Sequence, residues 1–317
     1  MSRIRIPVSS LCTSGRKDTV LAYMQQQIDW LVRMKREGTA KTYRSTMSSF
    51  RRFLQGTDVP FESLTPTLLE RYEAHLLDAG LCRNTVAFYL RTLRTVYNRA
   101  LAEGIPAPAK AFARVHTSYG RTARRAISPE QVRALRRLEL PPGSSQARSR
   151  DLFLFSLYTR GMSFVDMAYL RKSDLRGGML VYVRRKSHQR ICIEWTNQMQ
   201  ELVDRYAASC AGTPYLLPII LRPADGTERR QFEQAQQSVN RHLKKLGRQI
   251  GLSMPLTTYV ARHTWATTAR SLNVPLPIIS EGLGHDNDQT TLVYLASLDC
   301  SLVHQANQAL IDFFEEE

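Results

Sequence analysis

Tyr294 lies near the end of the chain, nine positions after His285, in the stretch EGLGHDNDQTTLVYLAS at residues 281–297. A tyrosine hydroxyl can act as a nucleophile in covalent catalysis when neighbouring side chains activate it. Leucines surround this tyrosine at helical spacing, and a tyrosine in that setting is usually a packing residue. The stretch alone therefore favours packing, and other polar residues have to decide whether Tyr294 does chemistry.

Two cationic side chains, those of Arg262 and Lys186, are candidates for contact with an anion. Arg262 lies in ARHTWATTAR, residues 261–270, a pattern typical of a buried helix. Because a buried guanidinium is costly without an acid or anion, Arg262 is predicted either to form a structural salt bridge or to meet an anionic ligand. Lys186 lies near the turn of a predicted β-hairpin at residues 177–195, GGMLVYVRRKSHQRICIEW.

The motifs of nucleotide-driven and metal-dependent enzymes are absent from the sequence. It contains no G-x-x-x-x-G-K-[ST] phosphate loop, no H-E-x-x-H zinc motif, no G-x-S-x-G nucleophile elbow and no Rossmann glycine set. The five cysteines are scattered and form no C-x-x-C pair, which argues for reduced thiols. We therefore expect no nucleotide, no metal and no other cofactor.

The order Lys186, Arg262, His285, Tyr294 resembles the tyrosine recombinases, the phage-integrase family. The strongest match is ARHTWATTAR followed by ISEGLGHDNDQTTLVYL, which is similar to the family's R-H-T-F-A-T, L-G-H and T-x-x-Y signature. The resemblance covers roughly residues 18–317, and among its members the chain looks most like the integrases of conjugative transposons and other mobile elements.

This resemblance implies a role for each of the four residues. Tyr294 would attack the scissile phosphate and form a 3′-phosphotyrosyl ester, which stores the bond energy without a cofactor. Arg262 would donate to the nonbridging oxygens, where negative charge builds. Lys186 would protonate the leaving 5′-oxygen, and His285 would hold a phosphate oxygen or accept the tyrosine proton.

The chain departs from the family pattern at two positions. Ser163, in RGMSFVDM, stands where the family has its first arginine. If these residues form a helix, Arg160 shares a face with Ser163 and can supply the missing guanidinium. Alternatively Arg160 pairs with Asp166 or caps a helix end. Tyr259 stands where the family often has a histidine, and its hydroxyl can donate to DNA but cannot act as a base near neutral pH.

The charge of the chain points to a polyanionic partner. Lys and Arg number 44 against 28 Asp and Glu, a net charge of +16 with a pI near 10.0. Residues 1–125 hold most of the excess, with 21 basic against 9 acidic side chains. Such a surface releases counterions from nucleic acid on binding. No apolar run is long enough for a membrane span, and the basic start has no signal-peptide core, so we expect a cytoplasmic protein without a membrane partner.

The first folded part is predicted to be four helices with basic outer faces. The second helix is expected to begin after Thr39, and the third to run from Thr65 as N-cap to Gly80 as its stop. Apolar stripes are predicted for the first helix (Val20, Met24, Ile28, Leu31, Met34) and the fourth (Val86, Leu90, Leu93, Val96, Leu101). Basic residues expected to contact DNA are Lys41, Arg44, Arg83, Arg91 and Arg94.

The second folded part is predicted to be mostly helical. SPEQ at residues 128–131 is typical of a capping box. The hairpin follows, then the apolar run YLLPII as a further strand or an irregular segment, and then a long helix over about 231–250. After Tyr294 a linker is expected to lead to an amphipathic C-terminal helix. In the family such a helix docks on a neighbouring protomer, and the alternative is that it packs on its own chain.

We therefore expect a mainly α, two-domain DNA clamp. It comprises a basic arm (1–17), an all-α SAM-like core-binding domain (18–103), a linker (104–126), and a mixed α/β, mostly helical catalytic domain with a small β-hairpin sheet (127–317). The expected function is site-specific recombination of double-stranded DNA, for integration, excision or inversion, by a homo-tetramer on paired sites. Alternatives are a site-specific DNA-binding protein with weakened or lost catalysis, and a type IB topoisomerase-like enzyme.

Overall fold

The computed structural model describes residues 19–118, 120 and 125–284. The predicted basic arm, His285, Tyr294 and the predicted C-terminal helix lie outside the described residues. The chain divides into two compact units, Met1–Thr122 and Ala123–Glu317. Each unit has its own apolar core, and the two are described separately.

The first unit is built from helices, as the sequence predicts. Within its described residues, the four α-helices are α1 (Val20–Arg33), α2 (Glu37–Phe53), α3 (Pro66–Asp78) and α4 (Arg83–Ala102), with a short 3-10 turn at Phe61–Ser63. The start of α3 is confirmed, because the Thr65 side chain accepts a hydrogen bond from the Leu68 amide at 3.2 Å. Gly80 follows its last turn in the left-handed conformation, as expected of a helix stop.

Some boundaries and faces of the first unit differ from the predictions. Helix α2 begins two residues before Thr39, with Arg36 at the N-cap position. Met34 and Leu101 lie at the exposed ends of their helices, so the predicted stripes are one residue too long. Ala111 and Phe112, within the predicted linker, are buried in the core of this unit. Part of the linker therefore packs on the first unit.

The second unit combines eight described helices with one small sheet. The helices are α5 (Pro129–Arg137), α6 (Ser145–Tyr158), α7 (Phe164–Tyr169), α8 (Asn197–Asp204), α9 (Ala207–Cys210), α10 (Glu228–Gln249), α11 (Thr258–Ser271) and α12 (Leu276–Gly282). The capping box at Ser128 is confirmed by reciprocal hydrogen bonds with Gln131, of 2.8 and 3.3 Å. A mainly helical chain with a small sheet is thus confirmed.

The sheet contains the predicted hairpin and one short strand that the sequence analysis missed. Its antiparallel strands lie in the order β1 (Leu175–Arg176), β2 (Met179–Val183) and β3 (Arg190–Glu194). In β2 and β3 the residue pair Leu180 and Ile193 faces the core, and the partners on the other face are more exposed. The run YLLPII forms no strand, although Tyr215 makes an isolated bridge to Arg171.

Helix α6 lies at the centre of the second unit. Its residues Phe153 and Phe155 are fully buried, and the helix packs against both α10 and α11. Apolar residues occupy both sides of α6, so it has no amphipathic stripe, as expected of a helix that is covered all round. This packing holds the end of α6 close to α11, which carries Arg262. Among the described helices, none is both long and apolar enough to cross a bilayer.

Candidate active site

Arg262 connects two chain segments through its guanidinium. It lies on α11 and is only 4% exposed. Its Nη1 donates to the carbonyl of Gly161 at 3.0 Å, and its Nη2 donates to the carbonyl of Leu283. The first carbonyl belongs to the turn after α6, and the second lies at the end of α12, two residues before His285. Arg262 therefore holds the backbone that leads into the predicted catalytic histidine.

The turn after α6 is shaped by its close approach to Arg262. Gly161 has a φ of +72°, and a Cβ at this position would lie 2.6 Å from the Cα of Arg262. Only glycine fits both the left-handed backbone and this contact. Arg160, immediately before it, is also left-handed, with a φ of +58°. The segment between α6 and α7 is thus a tight turn.

This turn changes the interpretation of Arg160 and Ser163. The expectation that they share a helical face is wrong, because α6 ends at Tyr158 and α7 begins at Phe164. Arg160 is half-buried, and among the described residues it makes no hydrogen bond or ion pair, which also removes the alternative of a pair with Asp166. Whether it takes part in catalysis stays a prediction.

Ser163 is the N-cap of α7. Its hydroxyl accepts a hydrogen bond from the Asp166 amide at 3.3 Å and donates to the carboxylate of the same residue at 2.6 Å. A serine at this place satisfies an otherwise unpaired amide of the first helical turn. The residue that departs from the family pattern therefore starts a helix and orients a buried carboxylate, which is 3% exposed.

Arg184 is a buried residue of this site that the sequence analysis missed. It follows β2 and is 8% exposed. Its Nε lies 4.0 Å from a carboxylate oxygen of Asp166, and its Nη1 donates to the carbonyl of Gly284. The strand alternation contained a signal for it, because Leu180, Tyr182 and Arg184 occur at every second position and so point to the same face.

Tyr182 shows how the charges of the site are arranged. Burial raises the pKa of its phenol, and the nearby carboxylate of Asp166 raises it further. Three guanidinium groups, those of Arg262, Arg184 and Arg160, act in the opposite direction and lower this pKa. Tyr182 thus stays protonated at neutral pH. Three cations and one anion lie close enough to its hydroxyl to act on it.

Lys186 lies in the turn between β2 and β3, as predicted, and its side chain is exposed. The turn is closed by hydrogen bonds from the Arg184 amide to the Gln189 carbonyl at 2.8 Å and from the His188 amide to the Arg184 carbonyl at 2.9 Å. The base of this turn is therefore anchored next to Arg184, while Lys186 projects from its tip. Its role as an acid stays a prediction.

Tyr259 lies in the first turn of α11, three residues before Arg262, and is 46% exposed. Its ring contacts the ring of His263 edge to face, with 4.9 Å between centroids, and His263 is buried. The tyrosine is thus accessible on the same helix as Arg262. Within the described ranges, no group of three His, Cys, Asp or Glu side chains is placed to hold a metal ion.

Two of the five basic residues predicted to contact DNA hold the end of the first unit. Arg91 donates from Nε and Nη2 to the carbonyl of Thr117, at 3.1 and 2.8 Å, and Arg94 donates to its hydroxyl at 3.3 Å. Arg44 lies 3.9 Å from Glu37, an exposed pair that contributes little stability. The side chains of Lys41 and Arg83 are exposed on α2 and α4. All five remain predicted DNA contacts.

Comparison with known proteins gives matches along both units. A family model described as "Phage integrase SAM-like domain" matches residues 19–112, and one described as "Phage integrase family" matches residues 125–300. A tyrosine recombinase XerD from Pseudomonas putida is 24% identical over 274 residues, covering 84% of this chain and 88% of that protein.

Solved structures with a similar fold were also found. The Tn1549 transposon integrase in complex with transposon right end DNA has a TM-score of 0.64 at 14% identity, covering 92% of this chain and 99% of that one. A lambda integrase tetramer bound to a Holliday junction has a TM-score of 0.61 at 18% identity, covering 87% and 77%. At these identities the likeness shows the fold.

Proposed function

The chain belongs to the phage integrase family and is a site-specific tyrosine recombinase, and we propose that it breaks and rejoins DNA strands through an ester between Tyr294 and a 3′-phosphate. The observation that carries this proposal is the buried guanidinium of Arg262. It braces the carbonyl of Leu283, and the chain reaches His285 two residues later. A buried cation at the entry to a predicted catalytic segment is suited to an anionic substrate.

The proposed cleavage step balances without a cofactor. The hydroxyl oxygen of Tyr294 attacks the scissile phosphorus and loses its proton to His285. The bond from phosphorus to the 5′-oxygen breaks, and Lys186 gives that oxygen a proton, so the products are a 3′-phosphotyrosyl ester and a free 5′-hydroxyl. A 5′-hydroxyl from another strand reverses the step and joins the two strands.

Arg262 supports this step because charge grows on the nonbridging oxygens as the fifth oxygen approaches phosphorus. Donors held in place before the reaction stabilise that charge most effectively. Both terminal nitrogens of Arg262 bind backbone carbonyls. The carbonyls thus hold the guanidinium in one orientation before the reaction.

We also propose that the chain binds duplex DNA at a specific site and acts as a homo-tetramer on paired sites. The charge of +16 supports DNA as the partner. The structures with a similar fold include a lambda integrase tetramer on a Holliday junction, and the same assembly is proposed for this chain. Lys41, Arg44 and Arg83 are accessible side chains that can contact phosphates.

The nucleophile can be tested with a nicked suicide substrate that contains the chain's site. The protein should become covalently attached to a 3′-phosphate, and Tyr294→Phe should abolish the adduct while DNA binding persists. Tyr158→Phe is the matched control, because that half-buried tyrosine at the end of α6 is not among the predicted site residues, and this variant should still form the adduct. An adduct from Tyr294→Phe would contradict the assignment.

Assays of the same protein on paired sites and on a supercoiled plasmid distinguish recombination from topoisomerase activity and from DNA binding alone. A recombinase exchanges strands between two sites, whereas a type IB topoisomerase relaxes supercoils without a partner site. A protein that only binds DNA does neither. Product from paired sites, with no relaxation of a plasmid lacking a site, is the expected result.

A further inference from the structure

We propose that Arg184 supplies the second guanidinium of the active site and contacts the scissile phosphate beside Arg262. Ser163 occupies the position that the family pattern gives to an arginine, and Ser163 instead caps α7. Arg184 reaches the same region from the hairpin. The assignment rests on the proposed function, because it adds a residue to the same reaction.

The two guanidinium groups donate hydrogen bonds to carbonyls of adjacent residues. Arg262 donates to the carbonyl of Leu283, and Arg184 donates to the carbonyl of Gly284, the next residue. The Cα atoms of consecutive residues lie about 3.8 Å apart. Both cations are therefore gathered directly before His285, which is where the proposed reaction needs donors for a phosphate.

The side chain of Arg184 is held from several sides. Asp166 lies 4.0 Å from its Nε, and the other carboxylate oxygen of Asp166 accepts a hydrogen bond from the Arg185 amide at 2.9 Å. Ser163 fixes that carboxylate through its hydroxyl at 2.6 Å. A group that must stabilise a transition state needs such support, because its geometry has to be set before the reaction.

Donors remain on Arg184 after these contacts. A guanidinium carries five N–H groups. The Nε faces Asp166 and Nη1 binds the Gly284 carbonyl, whereas Nη2 makes no hydrogen bond with a described residue. Arg184 can thus keep its supports and donate to a phosphate oxygen.

Arg160 is the competing source of the second guanidinium. It is close enough to lower the pKa of Tyr182, as Arg184 is. Arg160 lies on a left-handed turn residue, is half-buried, and has no hydrogen bond or ion pair among the described residues. A side chain without supports loses more conformational entropy when it binds a phosphate. The supported residue, Arg184, is therefore the better preorganised donor.

A change in the charge of the phosphate tests this assignment. Full-length protein is offered a suicide substrate with either the natural phosphate or a methylphosphonate at the scissile position. The methylphosphonate replaces one nonbridging oxygen by a neutral methyl group, so it needs less positive charge around it. Adduct formation is measured for the wild type, Arg184→Ala, Arg184→Lys and Arg160→Ala, with DNA binding and thermal unfolding recorded for each.

On the natural phosphate, Arg184→Ala should form adduct about 10²–10³-fold more slowly than the wild type. On the methylphosphonate its deficit should shrink by at least about tenfold, because the lost charge is no longer needed. Arg184→Lys should recover part of the rate, since an ammonium keeps the charge without the planar fork. If Arg184→Ala does not fold, the rates of Arg184→Lys on the two substrates provide the same comparison.

Three results would overturn the assignment. One is an equal deficit of Arg184→Ala on both substrates, which is expected of a residue that only supports the fold. Another is the reverse pattern, in which Arg160→Ala forms adduct much more slowly on the natural phosphate and recovers on the methylphosphonate, whereas Arg184→Ala does not recover. The third is no adduct from the wild type on either substrate, which would remove the proposed function as well.

Discussion

Gly161→Ala should disturb the position of Arg262 without touching a charged group. The added Cβ would lie 2.6 Å from the Cα of Arg262 and 2.9 Å from its Cβ, whereas ordinary contacts begin at 3.4 Å. The two segments therefore have to separate by about 0.8 Å. A misplacement of about 1 Å can cost about 10²-fold in rate, so we expect adduct formation to fall by about that factor.

The substitution has a second effect, and the chain offers a control for it. At a φ of +72°, alanine is strained by about 1–2 kcal/mol relative to glycine. Gly143 has a φ of +71° in the same unit, and a Cβ there would meet nothing within 4 Å. Gly143→Ala should thus lower stability by a similar amount and leave the Arg262 contact intact.

The assay is single-turnover adduct formation on the suicide substrate, with urea unfolding measured in parallel. Gly161→Ala should lose about 10²-fold in rate, Gly143→Ala should keep the wild-type rate, and both should be destabilised. Equal adduct rates for the two variants would refute the reasoning, because the close approach to Arg262 is the difference between the two positions.

Three further results are expected. Cleavage should persist in excess EDTA, since the positive charge would come from side chains; loss of adduct that Mg²⁺ restores would contradict the mechanism. Arg83→Ala should weaken DNA binding and reduce the slope of log K against log[salt] by about 0.9; an unchanged slope would argue against a phosphate contact. Arg91→Ala should instead make the chain around Thr117 easier to cleave with protease, because its two hydrogen bonds to the Thr117 carbonyl are lost. Ser128→Ala should lower the free energy of unfolding by about 1 kcal/mol through loss of the capping box, with the adduct rate of the folded protein unchanged.

Local patterns predicted most of the helices correctly because their causes are local. The N-cap at Thr65 and the capping box at Ser128 depend on residues within one helical turn. The hairpin follows from alternation over a few residues, and it was predicted with Lys186 in its turn. Errors occurred at helix ends, where Met34 and Leu101 continue the apolar pattern beyond the part that packs.

The family and the order of its polar residues also follow from the sequence, because the spacing of such residues can be compared without coordinates. The sequence could not reveal the turn at Arg160 and Gly161. That turn exists because Arg262, about a hundred residues further along the chain, packs against the glycine. A pattern read over a few residues contains no information about such a contact.

The environment of Arg184 was likewise decided by the tertiary structure. Alternation along β2 indicates which face the residue shares with Leu180 and Tyr182, but not what that face meets. Arg184 contacts Asp166 and the Gly284 carbonyl only because the fold places α7, the hairpin and the end of α12 next to one another. Long-range packing places a buried carboxylate beside a buried guanidinium, and so the candidate for the second phosphate donor depends on the fold.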